Sequence, residues 1–190
     1  MLAALALAAR CPRAAPGAVR TRVETEAGAF VVEVDPEVAP ITVAHYLAHV
    51  DRQLLDGGAV YRIVTLANQA PETRHKIEVV QWGMMRPDDQ PPPLPPIVHE
   101  TTRQSGLRHR DGTVSMARAQ PGSATAEYFV CVGDQPELDF GGARNRDGQG
   151  FAAFGRVVSG MEIVRKIHES PANEQRLAPP MKILRIRRSS

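Results

Sequence analysis

Six histidines, two cysteines and a scatter of carboxylates are the side chains in this 190-residue chain able to ligate a metal or attack a bond. His45 and His49 stand four apart, which places two imidazoles on one face of a helix. A tetrahedral metal site wants further ligands, and none follows at a sensible spacing. The pair therefore reads as exposed helix histidines, and no metal is expected. Cys131 lies inside the apolar run Tyr128-Phe129-Val130-Cys131-Val132 and is expected to be a buried, inert thiol, with no disulfide to Cys11. Asp88, Asp89 and Asp147 adjoin Pro or Gly, so turn formation explains them better than acid-base work. The arginines of 185–188 read as a solvated strand end. GxGxxG, GxxxxGK(S/T), CxxC, HExxH and GxSxG are all missing, so no phosphate loop, redox pair or nucleophile elbow is available and no cofactor is expected.

These residues need a scaffold, and the composition constrains it. Hydrophobic residues make up 43% and charged ones 23%, values of an ordinary folded domain that exclude wholesale disorder, collagen and coiled coil. Sixteen Pro and fifteen Gly favour many short elements over a few long helices. A formal charge of +2 is too small to imply nucleic acid or an anionic membrane as partner. Lys occurs only at Lys76, Lys166 and Lys182, which reads as coding bias.

Alternation predicts strands over 20–26, 30–34, 59–64, 77–82, 113–117, 127–132, 151–158 and 182–187. Val43, Leu47, Val50 and Leu54 form a helical stripe within 41–55, with Pro36 and Pro40 suited to its first turn. Met161, Val164 and Ile167 form a second stripe, and Ser159-Gly160-Met161-Glu162 reads as its capping box. Gln90 to Pro96 should be a stiff polyproline connector within the domain. About eight strands, two amphipathic helices and no βαβ rhythm point to a mainly β protein, a closed eight-stranded antiparallel barrel capped by two helices.

Met1 to Ala9 are apolar, far short of the ~20 residues that span a bilayer, so no membrane span is expected. No Lys or Arg precedes this stretch, although Ala6-Leu7-Ala8 and the small residues of 14–18 offer cleavage sites. Arg10 before Cys11 argues against a lipoprotein signal. Residues 1–19 are expected to be a leader, either an export signal to the periplasm or outside or a disordered cytoplasmic segment, with the folded domain over 20–190.

Several stretches carry a family resemblance. Gly112 to Ala119, Ala126 to Val130 and Phe151 to Val164 look like the core of a cyclophilin-type peptidyl-prolyl cis/trans isomerase. Asp35 to Val43 resembles that family's entry into its first helix, and Val60-Tyr61-Arg62 its Phe-His-Arg strand. The pieces span about residues 22–187 in family order. The resemblance implies the same capped barrel, a monomer, and proline-containing peptides and unfolded or folding proteins as partners. It also implies a reaction without nucleophile, acid, base, metal or cofactor, in which a fixed cation beside an apolar slot relaxes a twisted X–Pro amide.

Matched position by position, Arg62 resembles the catalytic arginine and Gln81 the glutamine that orients it. Phe129 matches the floor of the proline pocket and Leu138 a wall. Val79 stands for a pocket Met, Phe151 for a pocket His, and Tyr61 for the His before the arginine. Ala117, Arg118 and Ala119 match a groove-lining stretch in which Arg118 replaces an Asn that acts through its backbone. Glu127 replaces a Gln that meets the substrate chain, and a carboxylate accepts but does not donate. Trp82 replaces a Gly, so its ring is expected either to narrow the cleft or to face outward. Glu137 stands where cyclosporin-sensitive members have Trp, so weak cyclosporin binding is expected, and 140–150 looks like an insertion at the rim. Glu127 and Trp82 are the features that favour the alternative, a binding module or holdase that keeps the cleft without useful turnover.

Overall fold

A computed structural model describes residues 17–87 and 89–189; the expected leader up to residue 16, with Cys11, and also Asp88 lie outside them. The chain opens with a hairpin of β1 (Val19–Thr25) and β2 (Gly28–Val34). Gly28 makes the turn with φ +135°, a conformation that L side chains rarely adopt, and Thr25 Oγ1 donates to its carbonyl at 2.8 Å. There follow α1 (Pro40–Asp51), β3 (Ala59–Val64), β4 (Val79–Gly83), α2 (Thr102–Ser105), β5 (Thr113–Met116), β6 (Glu127–Cys131), a 3₁₀ turn (Pro136–Leu138), β7 (Ala152–Ser159), α3 (Met161–His168) and β8 (Arg176–Ser189).

The strands close in the order β1-β2-β7-β5-β6-β4-β3-β8, with antiparallel pairing throughout, so the barrel presents no free edge. The expected eight-stranded architecture is present, with three α-helices rather than two among the described residues. Its interior holds Val23, Val32, Val60, Val80, Val114, Val130, Ile183 and Ile186, continuous with Val43, Leu47 and Val50 of α1 and with Val164 and Ile167 of α3. Trp82, Tyr128, Tyr46, Phe154 and Phe30 interlock there, with Trp82 and Tyr128 ring centroids 4.9 Å apart. Each such ring removes roughly 150–250 Å² from water.

Three local expectations need correction. Helix α1 stops at Asp51 rather than 55, because Gln53 turns to φ +58° and brings Leu54 N back onto His49 O at 2.9 Å. Its first-turn donors are capped from far along the chain: Glu100 accepts from Ile41 N and Thr42 N at 3.2 and 2.7 Å. The capping box at Ser159 does not form, since Ser159 ends β7 and Gly160 caps α3 in the left-handed region at φ +82°. A Cβ at Gly160 would lie 2.5 Å from Ala29 O, which is why the position takes glycine. A capping box forms instead at Thr101, where Gln104 returns to Thr101 N at 2.8 Å and opens α2. Lastly, β8 begins at Arg176, six residues before the expected start, and its added first part contains Pro179 and Pro180, residues that strands disfavour.

His45 and His49 are also buried, not exposed. His45 Nε2 bonds Thr125 O at 2.9 Å and His49 Nδ1 bonds His45 O at 2.9 Å. Burial holds both imidazoles below their ordinary pKa. Cys131 is buried, and burial pushes its thiol well up. The arginines of 185–188 stay exposed but pair, Arg185 with Glu24, Arg187 with Asp56 and Arg188 with Asp51.

Candidate active site

Period-two alternation assigns each strand residue a face, and β4 and β6 obey it. Val80 and Trp82 point into the barrel, while Val79 and Gln81 lie on its outer wall. Likewise Tyr128 and Val130 go in, and Phe129 and Cys131 go out. Strand β3 breaks the rule. Val60 and Ile63 both sit in the interior core, so the two residues between them, Tyr61 and Arg62, both face outward. The register records the same event: Val60 opposes Trp82 and Met181, but Arg62 opposes Gln81 and Arg176. This β-bulge turns Arg62 out of the core and onto the wall. The resulting rung crosses four strands, Arg62 opposite Gln81, Gln81 opposite Phe129, and Phe129 opposite Ser115.

Three hydrogen bonds pin the guanidinium. Arg62 Nη1 donates to Gln81 Oε1 at 2.9 Å, and Nε and Nη2 both donate to Gln175 Oε1 at 3.0 and 2.6 Å. Gln81 spends its amide N–H groups on Tyr61 Oη at 2.6 Å and Glu127 Oε2 at 3.3 Å. Burial together with the nearby Glu127 carboxylate keeps the Tyr61 hydroxyl protonated, its pKa far above the usual phenol value. Burial and the neighbouring Arg144 and Arg176 charges lower the Arg62 pKa from its ordinary value, and it stays a cation at neutral pH.

Beside it runs a cleft of about 430 Å³ lined by Arg62, Gln81, Ala117, Arg118, Ala119, Ser123, Thr125, Glu127 and Phe151. Seven of the ten residues singled out from the sequence thus meet around one space. The other three, Val79, Phe129 and Leu138, lie behind it in an apolar cluster with Val64, Ile77 and Cys131. Phe129 meets Phe151 edge-on at 5.3 Å. Leu138 is fully buried, so it supports the cleft instead of walling it. A fixed cation above apolar packing can bind an uncharged, ring-bearing segment and offer N–H donors to an atom that gains electron density.

The sequence of residues 20–188 matches the family described as cyclophilin type peptidyl-prolyl cis-trans isomerase/CLD. The chain belongs to the cyclophilin-type peptidyl-prolyl cis/trans isomerases. It is 35% identical over 145 residues to such an isomerase of Streptomyces antibioticus, covering 75% of this chain and 79% of that one. It is 33% identical over 147 residues to isomerase A of Dickeya dadantii, covering 76% and 68%. A Cryptosporidium parvum cyclophilin-type isomerase superposes with a TM-score of 0.70 at 15% identity, covering 91% of this chain and 98% of that chain, and so shares the fold. A second crystal structure of that protein was obtained in the presence of the dipeptide Ala-Pro. The activity of this cyclophilin is the isomerisation of X–Pro peptide bonds.

The departures from the family pattern now have locations. Trp82 neither narrows the cleft nor faces outward: it is fully buried inside the barrel, on the face opposite Gln81. The side chain of Arg118 does more than its backbone. Only 1% exposed, it donates to Gly150 O from Nε and Nη2 at 2.9 and 2.6 Å, clasps Asp147 with both arms at 2.8 and 2.9 Å, and lies 5.3 Å from the Phe151 ring centre. It straps the rim loop to the wall of the cleft. Asp147 makes its turn as well, accepting from Gln149 N at 2.8 Å. Glu137 pairs with His75 at 3.2 Å and accepts from Ala143 N at 2.8 Å, so it braces the same loop.

Two features escaped sequence reading. Gln175 precedes β8 in a turn whose preceding residue, Glu174, sits at φ +53°, and no motif announces it. Under Phe129 lies a buried Asp139–His109–Ser115 chain, with Asp139 Oδ1 to His109 Nδ1 at 2.8 Å and His109 Nε2 to Ser115 Oγ at 3.0 Å. These are the residue types of a hydrolytic triad, but Ser115 is inaccessible. The His109 ring instead stacks under Phe129 at 6.0 Å with 17° between planes, which holds the aromatic level.

Proposed function

We propose that Arg62 is the catalytic group of this isomerase and that Gln81, Ala117, Arg118, Ala119, Glu127 and Phe151 bind the substrate chain over a base of Val79, Phe129 and Leu138. Rotation about a peptide bond is opposed by ~18–20 kcal/mol of resonance, and for X–Pro the two ends of the rotation differ little in energy. At the half-turned geometry the nitrogen lone pair leaves conjugation and accepts a hydrogen bond. A donor aimed there stabilises the transition state more than either planar form, which is the condition for catalysis. Arg62 suits the task because Gln81 and Gln175 occupy one N–H on each of its nitrogens, leaving Nη1 and Nη2 each a further donor.

The observation that carries this reading is the guanidinium pinned by two amide oxygens at a cleft backed by the apolar cluster of Val79, Phe129 and Leu138. The test is exchange NMR on an Ala-Pro peptide. Arg62→Ala should lower kcat/KM by ~100-fold or more with the fold intact; undiminished exchange overturns the assignment. Unfolded and folding chains are the proposed clients, and a monomer the proposed state, read by refolding of a proline-limited protein and by light scattering. An exported location is the proposed reading of residues 1–19 and a cytoplasmic one its alternative; the mass of the mature N-terminus decides between a cleaved signal and a retained leader. No helix of the described residues is long and apolar enough to cross a membrane.

A further inference from the structure

We propose that Gln175 is a positioning residue for Arg62, and that the guanidinium is held from both sides by neutral amide oxygens so that its charge is fixed in place without being cancelled. The proposal rests on Arg62 as the catalytic group.

One oxygen of Gln175 takes two donors of Arg62, Nε at 3.0 Å and Nη2 at 2.6 Å, while Gln81 Oε1 takes Nη1 at 2.9 Å. The two amides therefore grip opposite ends of a planar fork and fix both its position and its tilt. Gln175 is itself anchored. Its Nε2 donates to Asn68 O at 3.2 Å, and its backbone carbonyl accepts from Ile63 N at 2.9 Å, next to Arg62 along β3. The Asn68 end is a closed loop: Asn68 Oδ1 accepts from Thr65 N at 2.8 Å, Nδ2 donates to Ile63 O at 3.0 Å, and the neighbouring Gln69 bridges Thr65 O and Ile77 O at 2.7 and 2.9 Å. The brace thus runs from the 65–69 loop through Gln175 to the guanidinium, and none of it awaits substrate.

The identity of the acceptors matters as much as their placement. A carboxylate would hold a guanidinium more tightly than an amide does, and arginine pairs with carboxylates elsewhere on this barrel, as Arg118 with Asp147 and Arg20 with Glu33. At Arg62 both direct partners are amides. The charged groups bearing on it are Arg144 of the rim loop, Arg176 of β8 and Glu127 of β6, the last bonded to the Gln81 amide that holds Nη1. An ion pair in Gln175's place would satisfy the cation before the amide nitrogen arrives and weaken the bond that forms only in the transition state.

Position and charge separate in two variants. Gln175→Leu removes the oxygen; Gln175→Glu keeps the length and the accepting oxygen, adds a charge and gives up the donor to Asn68 O. Turnover is read by exchange NMR on an Ala-Pro peptide, and placement by the solvent protection of the Arg62 Nε–H signal. Gln175→Leu should lose that protection and lower kcat by ~10-fold or more with KM little changed. Gln175→Glu should keep the Nε–H protected and still lower kcat by ~10-fold. Wild-type kcat in Gln175→Leu overturns the positioning role, and wild-type kcat in Gln175→Glu overturns the need for a neutral acceptor. Should the Leu variant misfold, the Glu variant decides: slower with the signal protected supports the proposal, unchanged overturns it. Arg62→Ala is run alongside. If that variant keeps activity, the assignment of Arg62 has failed; if it is inactive while both Gln175 variants turn over normally, only the present proposal has failed.

Discussion

Replacing Arg118 by Met isolates the strap that holds the rim loop. The thioether chain fills much of the same volume over Phe151, so packing is largely kept while every donor is lost. Two bonds to Gly150 O disappear, and a carbonyl that accepted from a cation in a half-buried setting is left to water, about 1.5–3 kcal/mol. The clasp on Asp147 adds little, about 0–1 kcal/mol, because that carboxylate is 35% exposed and rehydrates when released. The sum is about 1.5–4 kcal/mol, which for a chain of this length lowers Tm by roughly 3–16 °C. Because Phe151 follows Gly150 directly and borders the cleft, KM for an Ala-Pro peptide should rise by ~3–10-fold while kcat moves less. Thermal unfolding by circular dichroism and exchange NMR supply the two numbers. A Tm within a degree of wild type, or an unchanged KM, would refute the claim that Arg118 shapes the cleft through the loop.

Trp82→Ala should lose about 3–5 kcal/mol in urea unfolding through the cavity it leaves, yet keep kcat/KM per folded molecule, since the indole lies inside the barrel. Stability should fall in two stages on acidification. His45 and His49 have folded pKa values below 6.5, so the unfolded chain takes up protons first and stability declines as pH drops below about 6.5. Glu33, Asp56 and Asp139 are likewise depressed in the folded state, so their share is present at neutral pH and lost below about 4. Urea midpoints across this range check both stages, and His49→Gln should flatten the first. Glu127→Gln should change kcat/KM for an uncharged peptide by less than about threefold, because Tyr61 still holds the Gln81 amide. Cyclosporin should inhibit weakly, with Glu137 engaged by His75 and Ala143, as a titration of the isomerase assay would show.

The barrel was legible because alternation and turn residues are local signals, and most strands fall within a residue or two of their expected limits. Arg62, Gln81 and Phe129 were legible through motif order, and register then set them on one rung. What stayed hidden depends on partners distant in sequence. Gln175 is an ordinary turn glutamine until β8 lies beside β3. The buried side chain of Arg118 needed the rim loop to fold over it, and the inward indole of Trp82 needed the face of β4 to be fixed. Pro179 and Pro180 concealed the first part of β8, because they sit where four residues, Leu177 to Pro180, lie opposite the single bulged residue Tyr61.

The pairing of β1 with β8 joins Arg20 to Ser189, so the first and last strands are neighbours. During synthesis from the N-terminus the hairpin of β1 and β2 leaves the ribosome before its second partner, β8, which follows every other strand of the barrel. Until then one flank of β1 and one flank of β3 lack their ladder, and Arg62 lacks the glutamine that precedes β8. A nascent chain of this cyclophilin therefore has an open barrel and an unbraced Arg62 until β8 docks between β1 and β3.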